Sequence, residues 1–193
     1  MHRPVLLTAP AILPVSVEDV KKALRIDSSD DDSTLENLVQ GAVDHYEGWT
    51  GILGICLVEQ EWRQRFDCFA QHMFLPLGPV RSVSEVSWID AAGNPSLVSP
   101  VSYTLETDAG GRTCVRLANA FARPSGLAES GAVSITYKAG WPVVDGKSTI
   151  PRDLWTAIIA RVQIGYEQGA TDASMPLKTM EDALISKWRR ISI

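Results

Sequence analysis

Disulfide chemistry has little to work with in this sequence. Its three cysteines, Cys56, Cys68 and Cys114, are odd in number and widely spaced. That pattern reads as free, partly buried thiols of a reducing compartment rather than a covalent framework. No CxxC or HxxxH spacing occurs, and His2, His45 and His72 are scattered, so nothing in the spacing supports zinc ligation. Long apolar runs are missing as well, and none approaches the ~20 residues of a membrane-spanning helix. The opening "MHRPVLLTAPAILPVSVED" is a poor secretory signal because Pro4, Pro10 and Pro14 interrupt it. An intracellular product is therefore expected. Positive charge is scarce: the net charge is −5, which argues against a protein that grips nucleic acid over a broad basic surface. A nucleophile elbow and a phosphate-cradling glycine loop are also lacking. "GPVRS" and "DAGGR" contain glycines, but neither joins a strand to a helix as those motifs require.

What is present suits a globular chain. With 193 residues, 45% of them apolar and 21% charged, the sequence fits one domain, or one domain with a substantial insertion. A chain of this length buries roughly 70% of its unfolded surface, enough to fold without disulfides or metal. Charge is uneven along it. Residues 1–50 hold nine acidic and four basic residues, whereas the last sixteen hold Lys178, Lys187, Arg189 and Arg190 against Glu181 and Asp182.

The acidic excess peaks at "DSSDDDSTLENL", residues 27–38. A calcium-binding EF-hand loop needs glycine at its sixth position and glutamate at its twelfth. Counting from Asp27 these are Asp32 and Leu38, and from Asp30 they are Leu35 and Gly41. Neither register can turn sharply or supply a bidentate ligand. The stretch instead reads as a helix entry, with Asp30, Asp31, Asp32 or Ser33 as the cap and carboxylates favoured by the helix dipole. Leu35, Leu38, Val39, Ala42, Val43, Tyr46 and Trp49 then line one helical face, and Gly51 is the expected stop. Upstream, Ser16 and Asp19 stand at capping-box spacing between Val15 and Val20, announcing a helix of about two turns.

From Ile55 the period changes. Gln60, Trp62, Gln64 and Phe66 alternate with Glu59, Glu61, Arg63 and Arg65, as on a strand with one solvated face. Residues 55–140 read as an antiparallel β-unit of five or six short strands joined by turn-rich segments such as "DAAGNP" and "ARPSGLAESG". Helical periodicity returns after Pro151, a proline suited to a first turn. It runs through Leu154, Trp155, Ile158, Ile159, Val162 and Tyr166, with Gly169 able to close the helix. A last short helix is expected from Thr179 and Asp182, at capping-box spacing, carrying Met180, Leu184, Ile185 and Trp188. The terminal helices can pack together only around an insertion. The fold expected is α+β, a helical bundle of residues 1–54 and 141–193 with an inserted antiparallel β-domain at 55–140.

Of the six tryptophans, Trp62, Trp88 and Trp155 read as core, and Trp141 as packing beneath the loop before the third helix. Trp188 admits two readings. It adjoins Arg189 and Arg190, a composition enriched in interface anchors, or it is simply a packed final turn.

Several segments, taken in order, resemble one family, the head–tail connector or adaptor proteins of long-tailed bacteriophages. The branch resembled carries a β-domain between helices and occurs in phages, prophages and gene transfer agents. The segments are "PVSVEDVKKALRID", "DDDSTLENLVQGAVDHYEGWTG", "CLVEQEWRQRFD", "FLPLGPVRSVSEVSWIDAAG", "AVSITYKAGW", "IPRDLWTAIIARVQIGYEQ" and "LISKWRRISI". The resemblance implies a non-enzymatic virion component, a ring of twelve copies assembled in the bacterial cytoplasm. Such a ring joins the portal protein to the stopper or another tail-proximal protein, and extends a channel through which DNA passes without sequence-specific binding. It also implies that the C-terminal segment, Trp188, Arg189, Arg190, Ile191, Ser192 and Ile193, docks on the portal. It brings no catalytic residue, cofactor, metal or membrane. An acidic channel lining would let duplex DNA slide, and basic groups at one end could meet an acidic partner. Two alternatives stand beside it: a stopper or tail-terminator protein, and a small intracellular metal-dependent enzyme using the Asp27–Asp32 carboxylates.

Overall fold

The computed structural model describes residues 2–167 and 174–189. Its elements are four helices, several short antiparallel sheets and two 3-10 turns, an α+β architecture as the sequence pattern predicts. The chain divides into two compact units. One contains the residues up to Pro10 together with Glu59–Gly140, and the other contains Ala11–Val58 together with the chain from Trp141 onward.

The first unit is built on a five-stranded sheet. Strand β1 (Val5–Thr8) forms one edge, followed across the sheet by β2 (Gln60–Phe66), β8 (Val133–Ala139), β4 (Val80–Ile89) and β5 (Pro95–Leu97). All pairings are antiparallel. A smaller sheet has β3 (His72–Leu75), β7 (Thr113–Leu117) and β6 (Tyr103–Thr107) in that order. The alternation read in β2 holds: Gln60, Trp62 and Gln64 are buried, and Glu61, Arg63 and Arg65 are half-buried or exposed. Strand β8 repeats it, with Val133, Ile135, Tyr137 and Ala139 inward, so the two central strands commit one face to the core. Strand β1 is absent from the sequence reading, which gave residues 1–54 to the helices. Its pairing Val5↔Arg63 and Leu6↔Trp62 puts it on the sheet. Four residues between prolines are too short for a periodic signal.

In the second unit, α1 (Val17–Leu24) begins at Ser16, whose hydroxyl accepts the Asp19 N–H at 3.1 Å and donates to the Asp19 carboxylate at 2.9 Å. The Ser16–Asp19 pair read from the sequence as a capping box does cap the helix, though the Asp19 carboxylate takes the Ser16 hydroxyl rather than its backbone N–H, and Val15 and Val20 are both buried beside it. Helix α2 (Asp32–Tyr46) buries Leu35, Val39, Ala42, Val43 and Tyr46. It ends earlier than Gly51: Glu47 is the C-cap, Gly48 takes φ +78°, and Trp49 is 45% exposed in the following loop rather than on the apolar face. The loop folds back instead, with Ile52 and Leu53 donating to the carbonyls of His45 and Tyr46.

After a two-strand hairpin, β9 (Val143–Val144) and β10 (Lys147–Ser148), helix α3 (Arg152–Tyr166) runs as predicted. Pro151 stands at its N-cap rather than inside its first turn. Helix α4 (Met175–Ile185) starts before Thr179, which lies mid-helix with its hydroxyl returned to the Met175 carbonyl, so the capping box predicted there does not form. Pro176 near the start is the better signal. Gly169, the predicted stop of α3, lies outside the described residues. The core of this unit draws Val20, Leu35, Val39, Leu154, Ile158 and Ile185 from all four helices. Among the described residues no helix is long and apolar enough to cross a membrane.

Candidate functional site

The four helices are tied by polar groups as well as by apolar packing. Tyr46 on α2 donates its hydroxyl to Glu181 on α4 in a short hydrogen bond, and Arg161 on α3 pairs with the same carboxylate at 2.9 Å. Glu181 is only 4% exposed. Burial first, and then the hydrogen bond to Glu181, pushes the Tyr46 phenol far above its usual range, so it stays a donor. The Arg161 guanidinium also lies 5.8 Å from the Tyr46 ring centre. His45 next door is held below the ordinary imidazole range, mainly by burial and then by Arg161.

The acidic stretch serves the same purpose. Asp31 occupies the N-cap position of α2 but its side chain makes no capping bond. It accepts the Tyr166 hydroxyl from α3 at 2.7 Å, and Asp32 accepts Lys21 from α1 at 2.7 Å. The aspartates therefore join the start of α2 to its two neighbours. Among the described residues no group of three or more His, Cys, Asp or Glu side chains is placed to hold a metal ion.

Trp188 lies in a 3-10 turn, Ser186–Trp188, that follows α4. Its indole N–H donates to Asp153 at 2.9 Å, and its ring meets Trp141 edge-on with centroids 5.5 Å apart. Lys187 reaches the same Asp153 oxygen at 2.5 Å. Burial works to raise the Asp153 carboxyl, but the hydrogen bonds from Lys187, Trp188 and the Leu154 N–H together hold it below the ordinary carboxylate range. Arg189 pairs with Asp182 at 2.9 Å, both half-exposed. Of the six residues assigned to portal docking, Trp188 and Arg189 are thus bonded to the helices. Arg190, Ile191, Ser192 and Ile193 lie outside the described residues. The packed-turn reading of Trp188 describes its side chain.

Sequence reasoning missed Glu181, Arg161 and Asp153. A signal for the first was available: Glu181 stands four residues before Ile185, on the stripe that faces the core, where a carboxylate needs a buried partner. A surface groove of about 840 Å³ runs past Leu13, Val17, Lys22, Lys147, Arg152 and Trp155. It has charges of both signs, and its hydroxyl–carboxylate pair, Ser16–Asp19, is the cap of α1.

The comparisons with known proteins bear on this architecture. The model of the phage gp6-like head-tail connector protein family matches residues 14–66, a segment covering α1, α2, the loop after it and β2. The resemblance to the head–tail connectors is borne out. Solved structures share the fold over nearly the whole chain. A chain from the neck of an empty gene transfer agent particle, computed with C6 symmetry, superposes with a TM-score of 0.78 at 24% identity, covering 100% of this chain and 97% of that one. A chain from the virion of a native gene transfer agent particle gives 0.77 at 22% identity, with coverage of 98% and 96%. A chain from the neck of a native particle, computed with C12 symmetry, gives 0.73 at 21% identity, with coverage of 100% and 97%. No curated protein matches the chain.

Proposed function

We propose that this protein is a structural connector at the head–tail junction of a phage-like particle, a gene transfer agent or a related phage. In this reading it assembles as a ring of twelve copies that links the portal to the tail-proximal proteins and extends the DNA channel. The observation that supports it most is the agreement of both units, end to end, with chains from particle necks. The connector family model supports it independently over residues 14–66. Helices cross-linked by buried polar groups suit a part that must hold its shape under load.

The chain from Trp188 onward is the portal-docking segment in this proposal. Trp188, fastened to Asp153 and packed on Trp141, is its anchor, and Arg189 to Ile193 make the outward contact. Deleting the gene in a particle-producing cell should leave DNA-filled heads without tails, counted by electron microscopy. Truncation after Arg189 keeps the Trp188 anchor and should give the same defect with unchanged thermal unfolding. Tailed, transfer-competent particles from the deletion strain would overturn the connector reading. Normal tails from the truncated chain alone would overturn only the docking assignment.

A further inference from the structure

The five-stranded sheet has two edges of different make: β1 presents an exposed strand, whereas β5 is three residues long and begins with Pro95, so that edge offers apolar side chains rather than a row of backbone donors. At one edge Val5, Leu6 and Leu7 are 46%, 41% and 44% exposed, and every residue of β1 faces solvent. An edge strand usually carries a lysine, a proline or a covering element to prevent pairing. This one carries three consecutive aliphatics. At the other edge Leu97 ends β5 at 71% exposure, and Val101 in the 3-10 turn Pro100–Ser102 reaches 88%. Two rows of the polar face between them are basic on the β1 side, one of them turning acidic toward β5, whereas a third, Thr8–Glu61–Lys138–Ser82, carries its acidic residue on the β1 side. The register runs Val5–Arg63–Thr136–Glu85 across the sheet, and Arg65, Ser134, Ser87 and Leu97 form the next row on the same face. Arginines therefore flank the β1 edge, and Glu85 lies one strand in from the β5 edge.

We propose that copies of this chain join head to tail through these two edges. The Val5–Leu7 edge of one copy meets the Leu97–Val101 edge of the next, with Arg63 and Arg65 facing the neighbour's Glu85. The inference rests on the ring reading above and assigns its interface. A cyclic ring of more than two copies requires a heterologous contact between two different patches, since a patch that pairs with itself closes at a dimer. Two apolar edges of opposite flanking charge on one sheet are such a pair. The exposed backbone of β1 adds an open hydrogen-bonding row.

Two single variants test it, Leu6→Gln on the first edge and Leu97→Gln on the second, both uncharged so that neither gains an ion pair with the neighbour's Glu85, Arg63 or Arg65. Both positions are exposed, so circular dichroism and thermal unfolding should match wild type. Wild type at high concentration should form closed rings by electron microscopy and mass photometry. Each variant alone should stay monomeric, its assembly concentration raised by more than about tenfold, as expected when an aliphatic contact is replaced by an amide desolvated without a hydrogen-bond partner. The decisive sample is the equimolar mixture. Each variant keeps the edge that the other lacks, so the mixture should form a species of two copies and no larger one. Rings from either folded variant, or two-copy species from one variant alone, would overturn the edge assignment and leave the ring reading standing. A wild-type chain that closes no ring at any concentration would overturn both.

Discussion

The two units use their polar and apolar residues in different ways. The helical unit has surface pairs such as Glu18–Lys22 but also draws carboxylates inward: Glu181 is buried between Tyr46 and Arg161, Asp153 takes Trp188 and Lys187, and Asp31 takes Tyr166. The β-unit keeps its ion pairs at the surface, among them His2–Asp67, Arg112–Asp108 and Arg116–Glu106, and exposes aliphatics along its sheet edges. A buried pair is costly to break, because the partner left behind is desolvated and uncompensated. A surface pair contributes little. The polar anchors of the helices therefore fix one packing, whereas the β-unit leaves apolar surface available to a neighbour. Substitutions in the two units should differ accordingly.

The largest effect is expected at Glu181. Glu181→Ala leaves the Tyr46 hydroxyl and the Arg161 guanidinium without their shared acceptor, and should cost about 3 kcal/mol in chemical denaturation. Arg161 is partly solvated, with 36% side-chain exposure, which holds the cost to the lower part of the range for buried pairs. An equal loss from Arg116→Ala, in the surface pair of the β-unit, would remove the contrast between the units. Next comes Gly51→Ala. A Cβ there would lie 2.2 Å from the Glu47 carbonyl oxygen, a backbone atom that cannot rotate away. Overpacking of this kind should destabilise by about 2 kcal/mol, although the residue sits in a loop. Trp188→Phe keeps the ring on Trp141 but removes the hydrogen bond to Asp153, a loss of about 1 kcal/mol by the same measurement.

These positions also mark what the sequence could and could not disclose. Helices α1, α2 and α3 were legible because their apolar residues recur at helical steps over two to four turns. The cap at Ser16 was legible because both of its partners are local. The β2 alternation was legible for the same reason. The role of Asp31 was not, since an aspartate before a helix looks like a cap and its actual partner, Tyr166, is 135 residues away. Trp49 continued the α2 stripe on paper, but Gly48 at positive φ ends the helix before it. β1 has no periodicity of its own and becomes a strand only through pairing with β2. At the C-terminal end, two readings of Trp188 were open because nothing local reveals Asp153, which lies 35 residues earlier. Local chemistry was readable, and side-chain partners brought together by tertiary structure were not.

The smallest effect sharpens the comparison from the β side. Asp67 is half-exposed, and its carboxyl is held down to about 2, first by the Gly131 N–H and then by His2. A carboxylate whose folded value lies below its unfolded one contributes stability above the unfolded value, about 4, and loses it as pH falls toward 2. Wild type should therefore be slightly more stable than Asp67→Asn at pH 5 and above, and the gap in thermal midpoint should close between about pH 4 and pH 2. Because the side chain is solvated, the gap should be far smaller than the Glu181→Ala effect at any pH. His2 also donates its backbone N–H to Arg65 just ahead of β1, so amide exchange in Val5–Thr8, taken relative to its intrinsic rate at each pH, should quicken across the same window while α2 and α3 keep their protection factors. Exchange that quickens equally in both units would mean that this acid-sensitive contact is coupled to the helical core. Quickening confined to β1 would mean that the sheet edge loosens by itself, as expected for a strand held by one neighbour and a surface carboxylate.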